Sequence, residues 1–333
     1  MLINKNITVI IPSKENDENL EIIINSIIYQ DEKPIEIIII NANKNENTNK
    51  DILIGNCRKN KIILIYINAK DSLPGNSRNL GIENCSTELL MFLDVKTIPT
   101  KTYISETLKL QKDLNCEVVF GATRYKADSK FQNLIRDSIY GCNTITTLPG
   151  TLLRKKDAQK VGSFIDWIRS GEDLEWISRV KLLKMNVVDN KNENYLIYTG
   201  LENCTLKTII IKWNEYYKES INLHTYDKYI KILLILFYPI IFLIAYNWNS
   251  FFANWQENSP LYIAHLTKYI IIFPFAFYLV FRGMIIPIRK GVKLTRIFPF
   301  RWISIVLLCL LIDTIKFKCL LQKNYEIRSN NRL

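Results

Sequence analysis

Residues 7–16 read ITVIIPSKEN, and this stretch decides the fold. Ile7 to Ile11 is a β-branched run stopped by Pro12, the composition of a short strand covered on both faces. Working outward, Leu20, Ile23, Ile24, Ile27 and Ile28 recur at helical spacing behind the capping candidates Asn16, Asp17 and Asn19. Ile35 to Ile40 is a second strand-like run, Ile62 to Ile67 a third and Leu89 to Leu93 a fourth. Between the last two the pattern predicts a helix from about Asn76 to Asn84. Strands alternating with helices predict an α/β domain with right-handed crossovers and a mainly parallel central sheet. Ligands of such sheets bind beyond the carboxyl ends of the strands, where Asn41 and Asp94 stand. No GxGxxG follows the first strand, which argues against a dinucleotide-binding domain.

The chain has 333 residues, enough for one large domain or two modest ones, and a net charge of +12. The basic residues form no single stripe interleaved with aromatics, so nucleic acid is not the expected partner. Several flank apolar runs instead, where they would set membrane orientation and meet anionic lipid head groups. The seven cysteines are scattered without a CxxC pair, and the two histidines, His224 and His265, are far apart. Neither a disulfide framework nor a zinc site is indicated. No apolar segment precedes the first strand, so a cleaved leader is not expected.

From about Ile230 the composition turns apolar. Ile232 to Tyr246 approaches the ~20 residues a spanning helix needs, and a second segment lies within Leu261 to Ile288, cleanest over Tyr269 to Phe281. A third, Trp302 to Ile315, is short and carries Asp313. The loop from Asn247 to Thr267 has no Lys or Arg, whereas Arg282, Arg289, Lys290, Lys293, Arg296 and Arg301 follow the second segment. The positive-inside rule then puts that basic loop and the N-terminal domain on the cytoplasmic side of an inner membrane, in a multi-pass arrangement. A third span would strand the basic tail outside, so an interfacial or re-entrant segment is the alternative to a span there. The expected division is 1–205 for the α/β domain, 206–229 for an amphipathic linker and 230–333 for the membrane region. In the linker, Lys212, Trp213, Tyr216, Tyr217 and Lys218 suit interface anchoring, with acceptor contact a second use.

Five segments in order, ITVIIPSKEN, YQDEKPIEIIII, PGNSRNLGI, MFLDVKTIP and VGSFIDWIRSGEDLEWISRV, resemble family 2 glycosyltransferases over roughly Ile7 to Val187. The resemblance implies a GT-A-like nucleotide-sugar-binding domain, followed here by C-terminal transmembrane helices. It implies that Pro12, Ser13 and Glu15 line the nucleotide pocket, with Asn41, Arg78, Asp94 and Lys96 also on the donor side. Asp94 matches the first acid of the family's DxD motif, where a carboxylate can hold Mn²⁺ or Mg²⁺ against the donor's phosphates. Asn41 and Lys96 depart from the family, which generally has acids at both places. Asn41 keeps hydrogen bonding without charge. Lys96 cannot ligate a metal but can meet the diphosphate as a point charge, which would reduce metal dependence.

Glu172 and Asp173 open a predicted helix that carries Leu174, Ile177 and Val180 toward the core. Acids in a first turn are favoured by the helix dipole alone. The resemblance implies more: Asp173 as catalytic base, taking the acceptor's hydroxyl proton opposite the leaving diphosphate, with Glu172 in support. The function implied is inverting transfer of a sugar from a nucleotide-sugar donor to a lipid-linked or growing envelope glycan. The departures at Asn41 and Lys96 keep a second reading open, a catalytically degenerate sugar-nucleotide-binding or scaffold subunit of a membrane complex.

Overall fold

The structure, a computed structural model, describes residues 6–14, 17–43, 49–190, 194–220, 223 and 243–330. Strands β1 (Ile7–Ser13), β2 (Glu36–Asn41), β3 (Ile63–Asn68) and β4 (Leu89–Phe92) run parallel. Helices α1 (Asp17–Ile28), α2 (Lys50–Lys59) and α3 (Pro74–Asn84) cross between them. The strands are isoleucine-rich throughout because both faces are covered. Ile11, Ile37 and Ile39 pack with Ile23, Ile24 and Ile27 of α1 on one face. Ile10, Ile38, Ile40 and Phe92 pack with Ile82 and Trp176 on the other. Each such fully buried side chain is worth roughly 1.5–3 kcal/mol. The register sets Ser13 beside Asn41 and Asn41 beside Asn68, one row along the carboxyl edge.

The sheet then turns mixed. β7 (Ile145–Arg154) lies antiparallel to β4, and β6 (Val118–Tyr125) antiparallel to β7. β9 (Leu196–Tyr198) joins β6, β5 (Thr97–Pro99) closes that edge, and β8 (Val187–Asp189) also pairs with β6. Among the described residues the order is β3-β2-β1-β4-β7-β6-β9-β5, a GT-A-like arrangement. The parallel pairing expected from the sequence is unbroken in the first half, whereas the second half combines parallel pairs of β6 with β8 and β9 and the antiparallel pairs β4–β7, β6–β7 and β5–β9. β5, β8 and β9 have three residues each, too few to show a period.

Four further helices follow in this half of the domain. α4 (Tyr103–Asp113) backs β6, and α5 (Lys130–Ile135) continues as a π-helical turn, Arg136–Tyr140. α6 (Lys155–Val161) leads to the loop before α7 (Glu172–Leu182). On α7 the buried stripe is Trp176, Ile177 and Val180. Leu174, expected in the core, is 49% exposed and faces a cavity. The i, i+1, i+4 spacing, and not i, i+3, i+6, describes this helix.

α8 (Leu206–Ser220) lies against the domain through Ile209 and Tyr217. Of the first apolar segment, Ile232 to Tyr246, most lies outside the described residues; 243–253 are helical. α9 (Leu266–Val280) continues through a π-turn, so Lys268–Arg289 is one apolar helix of 22 residues with its surface outward. It is the one helix among the described residues long and apolar enough to cross a membrane, so the structure bears out one such helix of the several expected. The third segment is the first half of a longer helix, α10 (Arg301–Asn330). Leu308, Ile312, Ile315 and Cys319 of α10 are buried among Ile135, Leu201 and Ile209. Asp313 accepts from Arg282 Nε at 2.8 Å and Nη2 at 2.9 Å, which neutralises both charges between the two apolar helices.

Candidate active site

Three elements converge on one buried arginine. Arg78 sits on α3, whose first turn presses against the 164–165 segment. A Cβ at Gly75 would lie 1.9 Å from Ile165 O, so glycine permits the approach. Arg78 is 4% exposed, with its guanidinium over the Phe164 ring at 5.6 Å. Its Nη1 donates to Glu172 Oε1 at 2.7 Å and its Nη2 to Asp94 Oδ1 at 3.1 Å. Such charge-assisted bonds are the strong ones, and here they fix two carboxylates from distant segments in one geometry.

Asp94 follows β4 in a turn that Thr97 locks, donating from Oγ1 to Asp94 O at 2.7 Å and accepting from Asp94 N at 3.0 Å. Thr199 N donates to Lys96 O at 3.0 Å and ties the same turn to β9. On the far side, Gly171 holds φ 94° as the residue before α7, a conformation that favours glycine, and a Cβ there would meet Leu223. Glu219 of α8 accepts from Arg169 N and Ser170 N, both at 2.7 Å, and pins this loop from below. Asp173 accepts from Leu174 N at 2.8 Å through Oδ1.

These groups line a cavity of about 640 Å³. Pro12, Arg78, Asp94, Lys96, Glu172 and Asp173, named from sequence on several segments, all stand on its wall. A smaller adjoining cavity of about 140 Å³ is lined by Ser13, Ala42, Ser72 and Ser77 among others, and shares Pro12, Lys14, Pro74 and Arg169 with the first. Asn41 lines neither. It is buried at the end of β2, its Oδ1 accepting from Asn43 N at 3.1 Å, and so shapes the loop that follows. Glu15 lies outside the described residues.

The rest of the large cavity mixes neighbours within those motifs with aromatics from outside them. Lys14 and Arg169 add positive charge to it. Tyr125 and Tyr140 stack at 3.8 Å, with Tyr198 beside them, and Trp213 of α8 stands 6.5 Å from Tyr140. Lys212, Trp213 and Tyr216, expected at a lipid interface with acceptor contact as a second use, also line the cavity. Tyr125, Tyr140 and Tyr198 carried no sequence signal, because each is a lone aromatic at a strand or helix end.

The electrostatics follow from one cation among three acids. Burial pushes the Glu172 carboxyl up to about 7, with Asp173 adding to the shift and Arg78 opposing it. Burial raises Asp173 also, against Arg78. Arg78 is itself held well above its ordinary value by Asp94, Glu172 and Asp173 together, so its charge is fixed. Both members of the Arg78–Glu172 pair are raised: at Glu172 burial outweighs the pull of Arg78, and at Arg78 the three acids outweigh burial. A single guanidinium serves three carboxyl groups, and the surplus of negative charge favours a proton on the acids.

Asp94 offers a cation one carboxylate, with Oδ1 engaged by Arg78 and Oδ2 left. Among the described residues no three His, Cys, Asp or Glu side chains group to hold an ion. Mg²⁺ is commonly held by one or two carboxylates with substrate phosphates completing its shell. The residues fit a cation shared with a phosphorylated ligand, and not an all-protein site.

Residues 8–171 match the family model described as Glycosyl transferase family 2. An uncharacterized glycosyltransferase of Rickettsia bellii (strain RML369-C) is 29% identical over 170 residues, covering 46% of this chain and 23% of that protein. One from Rickettsia conorii is 28% identical over 188 residues, covering 53% of this chain and 30% of that one. The chain therefore spans under a third of the curated relatives it matches. Among solved structures, S. aureus TarS is similar with a TM-score of 0.46 at 14% identity, over 95% of this chain and 54% of that one. TarS 1-349 in complex with UDP-GlcNAc gives 0.45 at 15%, over 93% and 90%.

Proposed function

This chain belongs to glycosyl transferase family 2, and on that premise we propose that it moves a sugar from a nucleotide-sugar donor to a lipid-linked or growing glycan by inverting displacement at a membrane surface. The observation that carries the reading is the Arg78 bridge, which fixes Asp94 and Glu172, with Asp173 beside it, on one cavity wall. The smaller cavity, with Ser13 and Lys14, takes the nucleoside, and the diphosphate lies toward Asp94, Lys96 and Arg78.

A divalent cation held by Asp94 and the donor's phosphates would neutralise charge building on the leaving group. Lys96 contributes positive charge at the same place and lowers the need for that ion. Asp173 is the base that takes the acceptor's hydroxyl proton. Its upward shift suits the role, because proton transfer is best served by a group nearer the working pH. Glu172 and Arg78 position it. Trp213, Tyr140 and Tyr216 form the wall on which an acceptor ring would stack. The apolar helix Lys268–Arg289 supports seating at a bilayer, with the catalytic domain on the cytoplasmic face.

The test is a melting-temperature screen of the full chain in detergent with UDP-, GDP- and dTDP-sugars, with and without Mn²⁺, since a ligand that binds only the native state raises that temperature. The stabilising donor is then incubated with glycan and lipid-phosphate acceptors. Donor turnover to a glycosylated product supports the reading. Stabilisation with neither transfer nor donor hydrolysis would sink it and leave a binding subunit.

A further inference from the structure

Away from the catalytic cavity, where α5 meets α10, one carboxylate carries three guanidinium groups. Asp137 is wholly buried, with Oδ1 3.1 Å from Arg136 Nη2 and Oδ2 3.1 Å from both Arg296 Nε and Arg301 Nη2. Asp137 Oδ2 and Arg301 Nη2 make no hydrogen bond, so attraction between charges alone holds that contact. Asn133 Oδ1 accepts from Arg136 and from Arg296. Three positive charges stand against one negative, and partly desolvated cations in surplus are costly without an anion.

A cavity of about 500 Å³ opens at this cluster, lined by Lys130, Asn133, Arg301 and Ser304 with Phe131 and Leu134. It adds a fourth cation at Lys130. Between Arg296 and Arg301 in the chain, Phe298 and Phe300 are 41% and 79% exposed. Leu294, Ile303 and Leu307 are exposed beside them. A soluble anion would account for the charges and leave the bare rings unexplained. A phospholipid accounts for both, because its phosphate accepts from guanidinium groups while its chains receive the aromatic and aliphatic side chains.

We propose that the cavity between Lys130 and Arg301 binds the headgroup phosphate of an anionic phospholipid, with Arg296 and Arg301 supplying the charge and Phe298 and Phe300 entering the acyl layer. The inference rests on the membrane-surface part of the proposed function. Its test reads lipid binding and not sugar transfer, so the two can fail separately.

The full chain in mild detergent is titrated with dioleoyl phosphatidylglycerol, with dioleoyl phosphatidylcholine and with glycerol phosphate, and melting temperature is followed. Phosphatidylglycerol raises it, while the other two at equal concentration do not. Each basic side chain near an anionic surface is worth about five-fold in affinity, so the double variant Arg296→Gln, Arg301→Gln binds phosphatidylglycerol about thirty-fold more weakly. Should that variant not fold, Lys130→Gln leaves the Asp137 pairs intact, and its expected loss is about five-fold. Equal shifts with both lipids, or a full shift with glycerol phosphate, overturns the proposal. So does undiminished phosphatidylglycerol binding by the folded double variant, or by Lys130→Gln in its place.

Discussion

Arg78 Nη1 donates to Glu172 Oε1 at 2.7 Å across 94 positions of the chain, and Nη2 of the same guanidinium reaches Asp94. The bond joins α3, the turn after β4 and the start of α7, so the two halves of the site share one cation. Arg78 is too deeply buried for water to replace it.

Removing that cation leaves buried carboxylates uncompensated. Arg78→Ala is therefore expected to destabilise the fold by about 3–5 kcal/mol. Urea unfolding of both proteins checks it. Arg78→Lys keeps the charge but not the fork, and should recover only part of the loss. A full recovery would mean that charge, and not two-point geometry, is what the site needs.

Glu172 predicts an unusual pH dependence. Its ordinary value is 4.5 and its folded value about 7, raised first by burial. Between these the folded chain binds more protons than the unfolded one, so stability falls as pH rises through that window and the loss is complete above about pH 7. Asp173 acts in the same direction. Glu172→Gln is neutral at every pH and should flatten most of the slope. Unfolding free energies between pH 5 and 8 for both proteins decide the matter; a wild-type stability that rises over this range contradicts it.

The first half of the fold was legible because its strands and helices are long and their apolar residues periodic. Ile7–Ser13 and Asp17–Ile28 fall within a residue or two of their sequence readings. The second half was less so. β5 and β9 reveal themselves only by non-local pairing, β5 with β9 and β9 with β6. In the site, Asp94, Glu172 and Asp173 could be named from ordered motifs. Arg78 could be named with them, but not its bond to Glu172, since nothing local tells whether its partner is water, phosphate or a carboxylate 94 positions away. The stacked pair Tyr125 and Tyr140 was hidden for the same reason, whereas Trp213 beside it could be named from the aromatic linker. Asn41 ends its strand as expected, and its side chain accepts from the backbone that follows.

Lys96 lines the cavity near Asp94, and its expected effect is on the diphosphate. Calorimetric titration with nucleoside diphosphate in EDTA should still give binding for the wild type. Lys96→Ala should weaken it about ten-fold or more, the scale of a hydrogen bond to a charged group. Mn²⁺ should then restore more of the affinity in the variant than it adds to the wild type. Affinity in EDTA that is the same with and without the lysine would remove Lys96 from the donor site.

Trp213 stands 6.5 Å from Tyr140 and 5.3 Å from Tyr216, on the cavity side of α8. A ring stacked there is worth roughly 0.5–1.5 kcal/mol beyond its buried area. Trp213→Ala should raise the acceptor KM by about ten-fold, with donor affinity unchanged. Loss of donor affinity instead would place the tryptophan against the nucleotide.

Asp173 gives the most direct test of the chemistry. Its carboxylate is at the first turn of α7, accepts from Leu174 N, and lines the same cavity as Asp94. Asp173→Asn preserves shape and the acceptor oxygen but cannot take a proton. General base catalysis contributes about 10²–10⁴-fold, so kcat should fall by about that factor. Donor affinity should hold, because Arg78 keeps Asp94 and Glu172 in place. Glu172→Gln should cost less in kcat, since its part is to position and its neutral form keeps a bond to Arg78. If instead Glu172→Gln abolishes transfer and Asp173→Asn does not, the roles of the pair are reversed, and the base is the residue that Arg78 holds.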